Sequence, residues 1–422
     1  MSSSETAPGI VDVNTTDLDA TPRLFSPLSL RDLTLRNRIV ISPMCQHAAD
    51  DGRATDWHLV HLGKFALGGA GLIFTESTAV SPHGRIGIAD LGLWRDDQIA
   101  PLRRVVDFVQ AQGVPIGVQL AHAGRKAGSQ ALWDGGRALT REQMSLADGS
   151  PWRRLGPSRL AAGPEWSVPE ALGPQEIKNV IEEFGAATRR ADAAGFDAIE
   201  LHFGHGYLIA SFLSPISNQR TDGYGGDRQG RMRLACDVAR RVRQEWPAAK
   251  PLFCRISAVD GAEGGWSLDD SVFLARELAH CGVDVIDVSS GGLTEETRRL
   301  TVPRGLGFQV DFARTIRRET EVTTQAVGMI VDGEQAEQIL RSGAADLIAI
   351  AREALNDPYW PRRAREQLQL PADYDTWPVR HGIWLAKRDE QMGDILRERR
   401  EAVATRHQQA GDDKAGIDKG RN

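Results

Sequence analysis

The amino-acid sequence predicts an α/β fold of the (β/α)8 barrel class, and three observations carry that prediction. Eight short apolar or β-branched runs each stop at glycine, serine or a polar residue, as strands buried on both faces of a parallel sheet do. Stretches with apolar residues at helical spacing separate them. Neither the G-x-G-x-x-G turn of a doubly wound dinucleotide fold nor a Walker-type phosphate loop occurs anywhere in the 422 residues. Strand and helix alternating eight times close into a barrel, whose chemistry collects at the C-terminal ends of the strands.

In chain order the strand runs are RIVISP (38–43), GLIFTE (71–76), PIGVQLAH (115–122), FDAIELHF (196–203), PLFCRIS (251–257), VDVIDVSS (283–290), TTQAVGMI (323–330) and ADLIAIA (345–351). Between them the spacing predicts helices over 99–111, 174–194, 268–281 and 333–342. Gly113, Gly195, Gly282 and Gly343 close helices and launch the next strand, which suits the left-handed position that ends a helix. The barrel is therefore expected over 23–370. Residues 1–22 are polar and expected to be disordered. The stretch 124–173, rich in Gly, Pro, Arg and Trp, is too long for an ordinary connection after the third strand, and reads as a lid or substrate-shaping loop on the catalytic face. From 385 to 422 charge dominates, which reads as an exposed helix with a disordered end, or alternatively as a partner-binding helix.

Composition narrows the function. With 51 basic against 57 acidic residues the net charge is -6, and no long basic stripe precedes the C-terminal tail, so nucleic acid is not an expected partner. No apolar run reaches the ~18 residues of a membrane helix, and the first residues lack a signal peptide's basic and apolar regions, so a cytoplasmic protein without membrane association is expected. The four cysteines, Cys45, Cys236, Cys254 and Cys281, have neither C-x-x-C spacing nor the density of a disulfide scaffold. Three of them read as small buried hydrophobes; Cys45 differs because it follows a strand end.

Reactive side chains cluster where two strands stop. RIVISPMC ends in Cys45, and LHFGHGYL carries His202, His205 and Tyr207. On a helix the histidine spacing would suggest a metal pair, but the preceding alternation is strand-like and no third ligand stands nearby, so no metal is expected. Two imidazoles can hold a carbonyl or anionic oxygen and a phenol can deliver a proton to carbon. The plainer alternative is a satisfied pair of core histidines beside a packed tyrosine. Other strand ends supply Gln119, Arg255, Ser290, Gly328 and Arg352. A glycine loop after the seventh strand and an arginine after the eighth fit a barrel phosphate site, while Gln119 and Arg255 suit a flat heteroaromatic ring. Together they favour a phosphorylated ring cofactor.

From about Leu24 to Pro378 the chain resembles the old yellow enzymes, FMN-dependent ene-reductases, and most of all the branch of small bacterial xenobiotic reductases. The resemblance runs through LRNRIVISPMCQ, DWHLVHLGKFALGGAGLIFTE, IGVQLAHAGRKA, ELHFGHGYLIASFLSPISNQRTDGYGG and LIAIAREALNDP. It implies non-covalent FMN across the barrel mouth, lined by Ser42, Pro43, Met44 and Cys45, with Ser77, Gln119, Arg255 and Ser290 around the flavin and Gly328, Ala351 and Arg352 on its phosphate. It further implies that His202 and His205 bind the substrate oxygen, that Tyr207 donates the proton, and that Cys45 tunes the flavin. NADPH or NADH would be the reductant, and an α,β-unsaturated carbonyl or a nitro compound the acceptor, in a homo-oligomer. Two departures stand out. Where the branch has C-x-Y this chain has Cys45, Gln46 and His47, placing a titratable imidazole against the substrate. Ala351 replaces the usual glycine. The segment 371–384, through ADYDTW, resembles one that brings an aromatic residue, here Trp377, over the substrate. Rival readings are a pathway flavoenzyme working as a desaturase or isomerase, and a flavin-binding partner protein without catalysis.

Overall fold

A computed structural model describes residues 21–140, 142–294 and 302–419, with side chains described up to Arg399 and at Ala402. Eight parallel strands close into one barrel: β1 (Ile39–Ile41), β2 (Leu72–Ala79), β3 (Ile116–Ala121), β4 (Ala198–Phe203), β5 (Leu252–Ser257), β6 (Val285–Ser289), β7 (Thr323–Ala326) and β8 (Leu347–Ile350). β8 pairs with β1 to complete the ring. Each of the eight sequence runs thus becomes a barrel strand. The seventh is shorter than its run because the chain turns after Ala326, at Gly328 (φ 116°) and Met329 (φ 51°).

Period-two alternation divides the strand side chains. Val40, Leu72, Phe74, Ala198, Phe253, Val285, Leu347 and Ala349 pack together inside the barrel, whereas their neighbours Ile39, Ile41, Ile73, Ile199, Cys254, Ile286, Ile348 and Ile350 pack against the outer helices. Leu30 and Leu35, from an antiparallel hairpin of Leu28–Leu30 with Leu33–Leu35, join the inner cluster and plug the N-terminal end of the barrel.

The outer ring consists of α1 (Asp56–Gly68), α2 (Ile99–Gln110), α3 (Pro174–Ala194), α4 (Arg228–Glu245), α5 (Leu268–His280), α6 (Val310–Thr320), α7 (Gly333–Arg341) and α8 (Trp360–Gln367). The four helices predicted from spacing are all present, and Gly113, Gly195, Gly282 and Gly343 all have positive φ. A bulge in β2 between Phe74 and Ser77 re-aims Glu76, which accepts the Gln46 backbone N–H at 2.8 Å and lies 3.0 Å from His58 Nε2. That contact props the chain after β1 from below.

The tail is helical, and its helix starts earlier than residue 385. One helix, α9 (Val379–Lys419), begins inside the segment expected to cap the active site. Its start is tied down by Tyr374, whose hydroxyl donates to Asp389 at 2.6 Å. The polar segment 1–20 and residues 420–422 lie outside the described residues.

Candidate active site

A cavity of about 490 Å³ opens at the C-terminal end of the barrel, within the ~300–1,000 Å³ range of ligand pockets. Cys45, His47, His205, Tyr207, Arg255, Ser290, Gly328, Ala351 and Arg352, all named from the sequence, line it. The insertion after β3 adds Lys126, Ser129, Gln130, Leu132, Gly136 and Trp166 to the lining. Among the described residues no carboxylate lines the cavity, while Lys126, Arg255, Arg304 and Arg352 do, an arrangement that favours an anionic ligand.

Close packing of two loops sets the reactive end. Gly206 (φ 71°) lies against Gly292 and Leu293, so that a Cβ at Gly206 would run into the Gly292 carbonyl. Lys126 Nζ bridges both loops, donating to His205 O at 2.8 Å and to Gly292 O at 2.9 Å, and sits 5.0 Å over the Tyr207 ring. The IGVQLAHAGRKA motif contains Lys126, but its spacing alone gave no sign of this bridge.

The histidines are brought together, though not as two donors aimed at the cavity. His205 Nδ1 is 3.2 Å from His202 Nε2 and His205 Nε2 is 2.7 Å from Ser289 Oγ, which occupies three of the four ring nitrogens. The fourth, His202 Nδ1, is buried without a partner. Burial, with His205, Arg255 and Lys126 adding to it, holds His202 well below the usual imidazole range; burial beside Arg255 and Lys126 lowers His205 to about 3. Both rings are therefore neutral, and His205 must turn from Ser289 before it can present an N–H to a substrate. The Tyr207 ring stands edge-on to His202 at 5.2 Å.

His47 adopts φ 50° and places Nδ1 3.0 Å from Asp90 Oδ1, a close ion contact rather than a well-aligned hydrogen bond. The other Asp90 oxygen accepts the Ile86 and Gly87 N–H groups at 2.7 and 2.8 Å. Asp90 raises the His47 pKa, against the burial that lowers it. Sequence reasoning missed Asp90, which stands 43 residues away in an unremarked loop. Solvent reaches Cys45 through the cavity mouth while protein crowds it on the other sides, and that burial, with Asp90 and Glu76, pushes its thiol well above its ordinary pKa.

Other predicted positions form a layer behind the lining. Ser42, Ser77, Gln119 and His202 are buried and do not line the cavity, and neither do Pro43 and Met44. Gln119 Nε2 donates to Glu200 Oε1 at 2.7 Å instead of facing the mouth. Burial and Asp287 push Glu200 well above the carboxylate range, with Arg255 opposing, and Arg255 Nη1 lies 3.4 Å from Asp287. Trp377 does not join the site. It stacks on Tyr359 at 5.5 Å, and Arg362 lies 3.8 Å over its ring while also donating to Thr376 Oγ1 and O, both at 2.7 Å. Arg362 itself packs against Gly69, just before β2, so Trp377 is pinned at the N-terminal end of the barrel, opposite the cavity.

Residues 23–371 match the NADH:flavin oxidoreductase / NADH oxidase family. The chain belongs to this family, the old yellow enzymes. It is 43% identical over 347 residues to an NADPH dehydrogenase of Geobacillus sp. (strain WCH70), covering 82% of this chain and 94% of that one. Among solved structures, morphinone reductase in complex with tetrahydroNAD is similar at TM-score 0.68 and 27% identity, covering 84% of this chain and 94% of its own. The old yellow enzyme homologue from Zymomonas mobilis matches with TM-score 0.68 at 26% identity over 84% of this chain and 96% of that one. The chain is thus an oxidoreductase acting on small molecules, with FMN as cofactor and NAD(P)H as reductant. Among the described residues no helix is long and apolar enough to cross a membrane.

The residues fit FMN. Ser42 Oγ and Arg255 Nε are buried polar atoms without partners beside the old yellow enzyme cavity, as a ligand-completed site requires. At the other end Gly328 forms a cradle that a Cβ would fill, meeting Gln309 Nε2 at 2.8 Å and Phe308 Cε1 at 2.9 Å.

Proposed function

We propose that this old yellow enzyme reduces activated C=C bonds of enones or maleimides, and also nitro compounds, with Tyr207 as proton donor. The carrying observation is that Tyr207, His205 and Cys45 face one cavity whose far end holds Gly328 and Arg352. Gly328, Ala351 and Arg352 would hold the phosphate of FMN, and Ser42, Cys45, Ser77, Arg255 and Ser290 would surround its ring. Bound FMN supplies hydride transfer from a nicotinamide to an electron-poor carbon.

The protein's own groups do the rest. On turning from Ser289, His205 donates its N–H to the substrate oxygen, with His202 behind it, and so withdraws charge from the alkene. Tyr207 then gives its hydroxyl proton to the α-carbon. Lys126 fixes the His205–Tyr207 loop, and its cation over the ring favours the phenolate left behind. The protonated Cys45 thiol offers a weak hydrogen bond at the cavity wall. The exposed apolar side chains Ile383, Trp384 and Ile395 on α9 support a homo-oligomer.

The test is a spectrum of the purified yellow protein before and after anaerobic NADPH, followed by a panel of enones, maleimides and nitro compounds. Rapid bleaching by NADPH and recovery on adding an enone is the expected result. Bleaching that no acceptor in the panel reverses would overturn the substrate assignment.

A further inference from the structure

A second cleft lies at the other end of the barrel from the strand ends that carry the chemistry. It measures about 200 Å³ and opens between the residues before β1, the end of α1, α8 and the segment 373–376 that leads into α9. Three guanidinium groups line it, those of Arg36, Arg362 and Arg365, against one carboxylate, that of Asp373. Arg365 lies 3.5 Å from Asp373. Arg36 and Arg362 have no ion-pair partner among the described residues. Arg36 Nε donates to Ala70 O at 3.2 Å, and Arg362 donates to Thr376 Oγ1 and O, both at 2.7 Å. Both sit at one corner of the chain, since the Arg362 guanidinium carbon is 3.4 Å from where a Cβ on Gly69, the residue before Ala70, would stand. Arg362 is only 9% exposed, and its Nε is buried without a partner.

We propose that this cleft binds a small phosphate-bearing anion, which fastens the segment leading into α9 to the base of the barrel. Guanidinium groups gathered together and taken out of water repel one another and lose hydration, and an anion between them offsets both costs. The strain shows in their acidity: burial lowers the pKa of Arg36, and burial with Arg36 and Arg365 nearby lowers Arg362 to about 10. With Arg36 Nε taken by Ala70, the two Nη groups of its fork have no acceptor among the described residues. Planar forks of this kind grip oxyanions through paired N–H groups. The two positive charges in excess match a phosphate, which carries about −1.5 to −2 at neutral pH when esterified. Such a ligand would join Arg36, just before β1, to Arg365 on α8 and to the Arg362 that holds Thr376.

The test uses the FMN-loaded full-length protein, whose flavin phosphate site is already filled. Inorganic phosphate and glycerol 3-phosphate are titrated separately by calorimetry at constant ionic strength, with the flavin spectrum followed in parallel. Each should bind at one saturable site, raise the melting temperature and leave the flavin spectrum unchanged. The tighter of the two names the source, free ion or monoester. Arg36→Gln and Arg365→Gln should each weaken binding roughly 10- to 100-fold, the loss expected when a hydrogen bond to a charged group is removed. Asp373→Asn should tighten it, because the carboxylate in the cleft is gone. Absence of a saturable heat, binding that perturbs the flavin and survives both arginine variants, or weaker binding in Asp373→Asn would overturn the proposal.

Discussion

Replacing Gly328 by alanine tests the phosphate end of the site most directly. Its φ of 116° is one that side chains rarely adopt, which costs roughly 1–3 kcal/mol. The new Cβ would also displace the Gln309 amide, whose Nε2 donates to Val327 O at 3.0 Å, for about 1 kcal/mol more. Both obstacles are loop backbone and side-chain ends, so the empty loop relaxes to a negative φ and the barrel remains folded. FMN must then pull the loop back, and the cost of roughly 2–4 kcal/mol appears as a dissociation constant raised roughly 30- to 1,000-fold. The assay is fluorescence titration of FMN into apoprotein, with a thermal melt as the check on folding. A normally folded variant that binds FMN as tightly as wild type would show that the Gly328 loop does not grip the phosphate.

Tyr207→Phe should leave flavin reduction by NADPH near wild type and slow reoxidation by an enone by ~10²–10⁴, while a nitro acceptor is less affected; stopped-flow traces showing slow reduction instead would remove the proton-donor role. Asp90→Asn retains an oxygen for the Ile86 and Gly87 N–H groups but removes the charge that raises the His47 pKa. In wild type the imidazolium therefore persists as pH rises past the ordinary histidine range and is lost only at the raised pKa. The pH midpoint of acceptor affinity should move down in Asp90→Asn and vanish in His47→Tyr, and superimposed profiles would exclude His47 from substrate binding. Ending the chain after Arg397 keeps the Tyr374–Asp389 bond and should preserve flavin content and turnover; loss of either would give the distal part of α9 a role in the site.

The barrel was legible because buried parallel strands leave continuous apolar runs, and glycines at helix ends punctuate them. Site residues at strand ends followed from the same pattern, with motifs fixing their identity. Orientation was not legible. Gln119 sits where expected in β3, yet Glu200 inside the barrel captures its amide. His47 was visible as a departure from the family pattern, but its charge depends on Asp90, which only the fold brings near. Trp377, which a similar segment led us to expect over the substrate, is instead held beside Arg362, away from the cavity of this chain. No local signal announces a partner supplied by another element.

The Leu30–Leu35 hairpin that plugs the base of the barrel has a kinetic consequence. With the floor shut and the interior packed, the described residues leave nicotinamide and acceptor the same cavity mouth by which to reach the flavin. On the proposed function they would visit in turn, the oxidised nicotinamide departing before the acceptor arrives. Double-reciprocal plots should therefore be parallel lines, and each reactant in excess should inhibit by occupying the other's turn.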